Sequence, residues 1–175
     1  MNKEIEIRFK ITSKKRDEIV ANMRHRLRYL EQEDTYLCHE TQKENPNYVL
    51  RIRKEQMNGV KTNILTYKQL AEDSWIEKEV EVFDDENTFK ILELLGHIEY
   101  LTINKRRYTT KAEMVEINID DIDDLGCFIE MEIEGENVEE GKKFLKLMAK
   151  TKWNIQEKDI IDEGYVQLMI KNNRK

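Results

Sequence analysis

The chain has 175 residues and a net charge of −6, and charged residues make up 38% of its composition. This length suits a single domain (residues 1–175), and the acidic balance argues against general nucleic-acid binding, for which a basic domain is expected. The two cysteines, Cys38 and Cys127, lack the spacing of metal ligands, and no apolar run approaches the length of a membrane span. We therefore expect a cytoplasmic monomer or homodimer that binds neither nucleic acid nor membrane.

The first half of the chain contains short runs in which polar and apolar residues alternate, and one run with helical spacing. The clearest alternation, Glu4–Ile11, predicts a strand because successive side chains of a strand point to opposite faces. Thr12 or Ser13 can cap a helix, and Asn58-Gly59 favours the tight turn of a hairpin. The predicted elements are a strand over 4–11, a helix with an apolar stripe from Ile19 to Leu30, a strand over 34–39, a polar loop over 41–47, and strands over 48–54 and 63–69.

The second half adds further strands and three helices. Gly96 is placed to end one helix as a left-handed cap, and Asp123–Gly126 supplies a turn between two strands. The predicted elements are strands over 75–83, 100–108, 114–120 and 128–134, and helices over 84–95, 138–153 and 165–170. The helix over 138–153 is predicted to bury Phe144, Leu145, Leu147 and Met148. About eight strands with helices between them predict an α+β fold with a mostly antiparallel sheet.

Nearly every predicted strand has one aliphatic face and one ionised face. Side chains two residues apart on a strand share a face, and the sign of the charge differs between strands: acids dominate the first, fifth and last, and bases the third, fourth and sixth. The groups that share a face are Glu4, Glu6, Arg8 and Lys10; Arg51 and Arg53; Thr66 and Lys68; Glu77, Glu79 and Glu81; Lys105 and Arg107; Glu116, Asn118 and Asp120; and Glu130, Glu132 and Glu134.

Two interpretations fit this pattern of charges. The first is an ordinary antiparallel sheet with its charged face in water. The second is a curled sheet that holds a carboxylate cluster opposite a cationic one. Mg²⁺ and Mn²⁺ take carboxylate oxygens together with substrate phosphates, while Arg and Lys neutralise phosphate oxygens. Because carboxylates and guanidiniums dominate these faces, the second interpretation predicts a metal-dependent triphosphate site.

Several segments, in this chain order, carry a family resemblance. Glu4-Ile5-Glu6-Ile7-Arg8 is similar to an N-terminal ExExK signature, and Ile119-Asp120 with Leu125–Glu132 is similar to an aspartate strand followed by LGxFxExE. The other matching segments are Leu50–Arg53, Thr66–Lys68, Glu77–Val82, Lys105–Tyr108 and Gly164–Leu168. Over nearly its whole length the chain thus resembles the CYTH superfamily, the triphosphate tunnel metalloenzymes.

The resemblance implies an eight-stranded antiparallel β-barrel that forms a triphosphate tunnel, with helices packed outside. It is closest to the compact branch similar to class IV adenylyl cyclases, which convert ATP to cyclic AMP and pyrophosphate. Two alternatives stay open: a triphosphatase that hydrolyses inorganic tripolyphosphate, thiamine triphosphate or a nucleoside triphosphate, and a non-catalytic module that binds polyphosphate or nucleotide. The charges do not separate cyclase from hydrolase, because both reactions need the same acids and bases.

The resemblance also implies roles for individual residues, with Mg²⁺ or Mn²⁺ as the cofactor. The implied metal ligands are Glu4, Glu6, Asp120, Glu130 and Glu132. The implied triphosphate-binding residues are Arg8, Arg51, Arg53, Lys68, Lys105 and Arg107. The candidate catalytic residues are Arg8, Lys10 and Lys68. The acids of Glu77–Glu81 are expected to hold bases in place.

The chain departs from the family pattern at two positions. Arg8 stands where the signature has Lys, which keeps the positive charge but removes a group that can act as a base. We therefore expect Arg8 to act as an electrostatic clamp on phosphate, with Lys10, Lys68 or Lys105 available as the base. Trp75 stands near a position where relatives often carry Arg, so one phosphate contact is expected to be missing.

Overall fold

The computed structural model describes residues 3–42, 47–71 and 74–173. The chain groups into two compact units, the first formed by Met1–Tyr29 with Lys105–Lys175 and the second by Leu30–Asn104. The strands are β1 (Lys3–Ile11), β2 (Arg28–His39), β3 (Val49–Met57), β4 (Val60–Ala71), β5 (Ser74–Glu81), β6 (His97–Ala112), β7 (Val115–Ile122), β8 (Gly126–Gly135) and β9 (Ile160–Ile161). The helices are α1 (Ser13–Met23), α2 (Asp85–Leu94), α3 (Val138–Trp153) and α4 (Tyr165–Asn173).

The strands pair in the order β6-β7-β8-β1-β9 in the first unit and β5-β4-β3-β2-β6 in the second, with β6 contributing to both. The registers of the described pairs are antiparallel. The predicted α+β class with an antiparallel sheet is therefore confirmed. The described residues form nine strands rather than eight, and the extra one is the two-residue β9, which is too short to show an alternation in the sequence.

Most predicted positions of strands and helices are confirmed. The turn residues that mark their ends in the sequence have the backbone conformations expected of them. Asn58 and Gly59 both have positive φ, of 51° and 83°, which gives β3 and β4 the twist of a two-residue hairpin. Gly96 follows Leu95, the C-cap residue of α2, and has a φ of 83°, as a left-handed cap requires. Within the predicted loop over 41–47, residues 43–46 lie outside the described part of the chain, as does the side chain of Trp75.

The predicted first helix is too long, and the strand after it is predicted too short. Helix α1 ends at Met23, a 3₁₀ turn follows, and Leu27 is already extended with ψ of 136°. From Leu30 onward, buried and exposed residues alternate along the first part of β2. Leu30 is therefore buried as a strand residue, because period-two packing overrides its accidental helical spacing from Ile19.

The first unit has a core between its sheet and two helices. The apolar faces of β1, β7 and β8 pack against α1 and α3, and isoleucines fill most of this layer. Since side chains alternate along a strand, the ionised residues of these strands lie on the opposite face. In the second unit a smaller core gathers Leu37, Leu50, Ile52 and Leu92. No described helix combines the length and apolar character that crossing a membrane requires.

Helix α3 has the predicted bounds but a different buried face. Phe144 and Leu147 are 45% and 64% exposed, so the prediction that they are buried is wrong. The buried residues are Gly141, Leu145 and Ala149, four apart, which is the spacing of one helix face. At Gly141 the helix lies so close to the sheet that a larger side chain does not fit.

Gly141 shows how close this approach is. A Cβ atom at Gly141 would lie 2.6 Å from Cδ1 of the buried Ile5 and 3.3 Å from Cδ1 of Ile133. We predict that Gly141→Ala lowers the free energy of unfolding by up to about 2 kcal/mol, because overpacking costs about 1–3 kcal/mol and the helix propensity of alanine returns about 1. Urea denaturation measures this difference. Gly164→Ala is the control, since nothing lies within 4 Å of its Cβ position; equal stability of the two variants would contradict the close packing.

Candidate functional site

The strand registers of the first unit gather ionised residues from four strands onto one face. Between β1 and β8, Glu6 lies opposite Glu132 and Arg8 opposite Glu130. Residues directly opposite in an antiparallel pair point to the same face. The same rows continue into β7, where Asn118 lies opposite Glu130, and into β6, where Arg107 and Lys105 follow the same alternation. Acids and bases that are far apart in the sequence thus become neighbours.

Three carboxylates converge at the centre of this face. Oxygens of Glu6, Glu130 and Glu132 lie within 4.8 Å of one another. Carboxylate oxygens at this spacing are the donors that Mg²⁺ and Mn²⁺ prefer, so these residues fit the implied cofactor. Of the other implied ligands, Glu4 lies further along the same face, opposite Glu134, and Asp120 makes different contacts. The described structure therefore brings together three of the five implied metal ligands.

Asp120 is fully buried and forms a two-pronged ion pair with Arg107. The guanidinium donates to both carboxylate oxygens, at 2.7 and 2.6 Å, and reaches Glu130 at 3.3 Å. Burial alone would lower the pKa of Arg107, but the charge of Asp120 outweighs it and holds that pKa well above its ordinary value. Arg107, an implied phosphate ligand, is thus a permanent cation that is held in the interior by its ion pair with Asp120.

Arg8 bridges the carboxylate cluster. Its Nε donates to Glu130 at 2.9 Å, and its Nη2 donates to both Glu6 and Glu130. The other terminal nitrogen, Nη1, donates to the backbone oxygen of Glu163 at 3.0 Å. Burial opposes the charged form, but Glu130, Tyr165 and Glu6 raise the pKa of Arg8 above its usual range. Arg8 therefore stays protonated and is unsuited to act as a base. Its predicted role as a phosphate clamp stays a prediction, since the contacts described here are to carboxylates and backbone.

Tyr165 is a site residue that the sequence reasoning did not assign to the site. Its hydroxyl donates to Asp120 at 2.9 Å, and its ring lies under the Arg8 guanidinium, with 4.3 Å from Cζ to the ring centroid. The Lys105 ammonium lies 5.8 Å from the same ring. The only sequence signal was its place in the Gly164–Leu168 segment. The ring of Tyr165 thus packs against the cations Arg8 and Lys105, and its hydroxyl hydrogen-bonds to the buried Asp120.

The neighbouring carboxyls Glu130 and Glu132 have opposite protonation. Burial raises the pKa of Glu132 to about 9, with further contributions from the charges of Glu130 and Glu6. Burial also opposes ionisation of Glu130, but Arg8 and Arg107 hold its pKa well below the ordinary value. At neutral pH, therefore, a neutral Glu132 lies beside an ionised Glu130 and hydrogen-bonds to it.

Lys10, a candidate catalytic residue, lies at the edge of this face. Its ammonium is 5.7 Å from the ring centroid of Phe128, and the side chain is exposed. It is not among the residues described in contact with the three carboxylates. Its predicted role as a base therefore stays a prediction.

The remaining predicted basic residues belong to the second unit, where acids hold them in place. Arg53 donates to both oxygens of the fully buried Asp34, at 2.7 and 3.0 Å. Arg51 donates to Thr66 at 3.0 Å and to Glu79 at 3.3 Å. The sequence reasoning missed Asp34, which it placed at a strand end without assigning it a partner.

Two further features of the second unit bear on phosphate binding. Lys68 contacts Glu77 at 3.0 Å, so Glu77 and Glu79 hold bases as expected. The Nε atom of Arg51 is buried and has no acceptor among the described residues. An arginine nitrogen that is desolvated without an acceptor is a donor available to an anionic ligand.

The protonated Glu132 leads to a prediction about pH. The unfolded chain loses this proton near pH 4.3, while the folded state keeps it to about pH 9. Across this window the folded state binds the extra proton, so stability falls as pH rises, by up to about 1.4 kcal/mol per pH unit. Glu132→Gln removes the titrating group, and we expect its stability to fall less steeply than that of the wild type.

Urea denaturation between pH 5 and 9, in the presence of a chelator, measures the two slopes. Glu134→Gln, the same substitution at an exposed position on β8, is the control and should keep the wild-type slope. Parallel curves for the wild type and Glu132→Gln would show that Glu132 is ionised in the folded protein.

Comparison with known proteins connects this face to a family. Residues 2–165 match the CYTH domain. A protein of Methanocaldococcus jannaschii named "putative adenylate cyclase" is 34% identical over 125 residues, which cover 68% of this chain and 69% of that protein.

Solved structures agree with this match. The structure of a Pyrococcus horikoshii protein superposes with a TM-score of 0.81 at 28% identity, covering 96% of this chain and 98% of that one. A Hippeastrum protein, described as a "putative adenylyl cyclase" that "reveals a dominant" triphosphatase activity, shares the fold, with a TM-score of 0.67 at 16% identity and coverage of 100% and 97%. Because the match spans nearly the whole sequence, the chain belongs to the CYTH domain family.

Proposed function

We propose that the chain is a metal-dependent enzyme that acts on a triphosphate, as a class IV adenylyl cyclase that converts ATP to cyclic AMP and pyrophosphate. The observation that carries this proposal is the cluster of Glu6, Glu130 and Glu132 on the same face as the cations Lys105 and Arg107. Carboxylates suit a divalent cation, and the adjacent cations suit phosphate oxygens. The M. jannaschii relative, at 34% identity, supports the choice of cyclase by its name.

The contacts of each residue indicate its role in the proposed reaction. Glu6, Glu130 and Glu132 would hold Mg²⁺ or Mn²⁺, which supplies positive charge for the phosphate oxygens. In the first unit the proposed phosphate ligands are Arg107 and Lys105. In the second unit they are Arg51, Arg53 and Lys68, and the Nε atom of Arg51 has no acceptor among the described residues. Arg8 keeps a permanent charge and acts only electrostatically, so the proton of the reacting hydroxyl goes to another group. Lys10, Lys68 and Lys105 are the candidates for that base.

Hydrolysis is the second candidate function. The triphosphatase activity described for the Hippeastrum protein belongs to a structure with the same fold. The acids and bases of the described face bind metal and phosphate in either reaction. What differs is the nucleophile: a cyclase positions the ribose 3′-hydroxyl at the α-phosphorus, and a hydrolase positions water at the γ-phosphorus.

Product analysis separates these functions. The protein is incubated separately with ATP and with tripolyphosphate, each in Mg²⁺ and in Mn²⁺, and the products are resolved by chromatography. The proposal predicts cyclic AMP and pyrophosphate from ATP. Release of orthophosphate with ADP or pyrophosphate, without cyclic product, would establish a triphosphatase instead. Saturable binding of both compounds without turnover would indicate a non-catalytic binding module.

Substitution of Glu130 tests the metal assignment. Glu130→Gln removes one anionic oxygen donor but keeps the shape of the side chain, so we expect turnover at saturating Mn²⁺ to fall by about 10²–10³-fold, as for other lost transition-state charge contacts. Glu134→Gln, an exposed residue on the same face of β8, is the matched control and should retain activity. Circular dichroism verifies that both variants are folded. Equal turnover in Glu130→Gln and wild type would refute the role of Glu130.

A further inference from the structure

Asn118 lies beside the carboxylate cluster, in a position that the metal and phosphate assignments do not use. It sits on β7 directly opposite Glu130 of β8, while its neighbour Glu116 sits opposite Glu132. Directly opposite residues have Cβ atoms about 4.5–5.5 Å apart and point to the same face. Asn118 is only 1% exposed. The side-chain amide is therefore enclosed on the face that carries the carboxylates.

The orientation of this amide is fixed by a single hydrogen bond. Its Nδ2 donates to Oε1 of Glu116 at 3.2 Å. A carboxylate accepts hydrogen bonds, so the amide nitrogen, not the amide oxygen, must face Glu116. The oxygen Oδ1 consequently points away from Glu116.

Oδ1 of Asn118 is buried and finds no hydrogen-bond donor among the described residues. Buried amide oxygens nearly always have a partner, because leaving one unpaired costs free energy of desolvation. The unpaired oxygen belongs to a side chain on the same face as the three carboxylates, with Glu130 directly opposite on β8, so it can join the same set of hard donors. Asparagine carbonyls are regular ligands of hard divalent cations.

We propose that Asn118 is a further metal ligand, binding through Oδ1 the divalent cation held by Glu6, Glu130 and Glu132. The proposal rests on the metal site of the proposed function and extends it by one neutral donor. Neutrality has a physical use here: a fourth carboxylate would add negative charge where the anionic triphosphate must also bind. An amide increases the number of oxygen ligands without adding to that repulsion.

Mn²⁺ binding to the whole 175-residue chain, without nucleotide, tests the proposal. Free Mn²⁺ is measured by electron paramagnetic resonance for the wild type, Asn118→Leu, Asn118→Asp and Glu130→Gln. We expect Asn118→Leu to weaken Mn²⁺ binding by about tenfold or more, the scale on which residues of a metal site contribute. Asn118→Asp keeps an oxygen and adds a charge, so it should bind Mn²⁺ at least as tightly as the wild type.

Thr109→Val is the matched control. Thr109 is buried and lies opposite Asn118 on the side away from Glu130, and we expect its Mn²⁺ affinity to stay within twofold of the wild type. Thermal denaturation without metal checks folding. Asn118→Leu should keep the wild-type melting temperature, because it removes an unpaired buried polar group. If Asn118→Leu does not fold, the test rests on Asn118→Asp. Weaker Mn²⁺ binding by that variant than by the wild type overturns the proposal.

The outcomes separate this inference from the function on which it rests. Unchanged Mn²⁺ affinity in Asn118→Leu, with weaker binding in Glu130→Gln, would overturn the role of Asn118 and leave the carboxylate site standing. Failure of the wild type to bind Mn²⁺ would overturn both the metal site and its extension to Asn118.

Discussion

A fully buried aspartate paired with the arginine directly opposite it on the next strand is the interaction on which each unit of this protein depends. In the first unit Asp120 of β7 pairs with Arg107 of β6, and in the second Asp34 of β2 pairs with Arg53 of β3. Each guanidinium donates to both carboxylate oxygens. Breaking a buried pair by removing one partner costs about 3–5 kcal/mol, because the other charge stays uncompensated.

These pairs also fix the register of the strands. A slip of one residue would move every side chain to the other face, placing Asp120 in the apolar core and Ile119 among the charges. Because that exchange costs free energy, the register between β6 and β7 is fixed. The register between β7 and β8 then places Asn118 opposite Glu130. The geometry of the carboxylate cluster is thus a consequence of pairing rules. Arg8 then adds a hydrogen bond to Glu130 of the cluster, and Tyr165 adds one to the buried Asp120.

The sequence predicts much of this face, and the reason is its strict alternation. Because Glu4–Ile11 alternates without exception, the strand and the shared face of Glu6 and Arg8 follow directly. Contacts between residues that are far apart in the sequence are less predictable. Nothing local to Tyr165 indicates that its hydroxyl reaches Asp120, since the two residues are separated by a hairpin and a long helix. The same holds for Asp34, whose partner is set by the register of a hairpin pair.

Packing errors in the prediction have a related origin. Phe144 and Leu147 are apolar, so hydrophobicity alone favours burying them, whereas the close approach of Gly141 to Ile5 selects a different face of α3. Leu30 matches the helical spacing of α1 by accident, and only pairing within β2 shows that it is a strand residue. In both places the surface that the residue packs against determines whether it is buried. The local sequence pattern does not specify that surface.

We infer that Glu6, Glu130 and Glu132 form a divalent cation site on this face. Anomalous diffraction at the manganese absorption edge, from crystals grown with Mn²⁺ and a non-hydrolysable triphosphate, tests it most directly. We expect a strong anomalous peak in coordination contact with at least two of these carboxylates, with triphosphate oxygens beside Arg107. A manganese peak elsewhere, with none at these three carboxylates, would contradict the assignment.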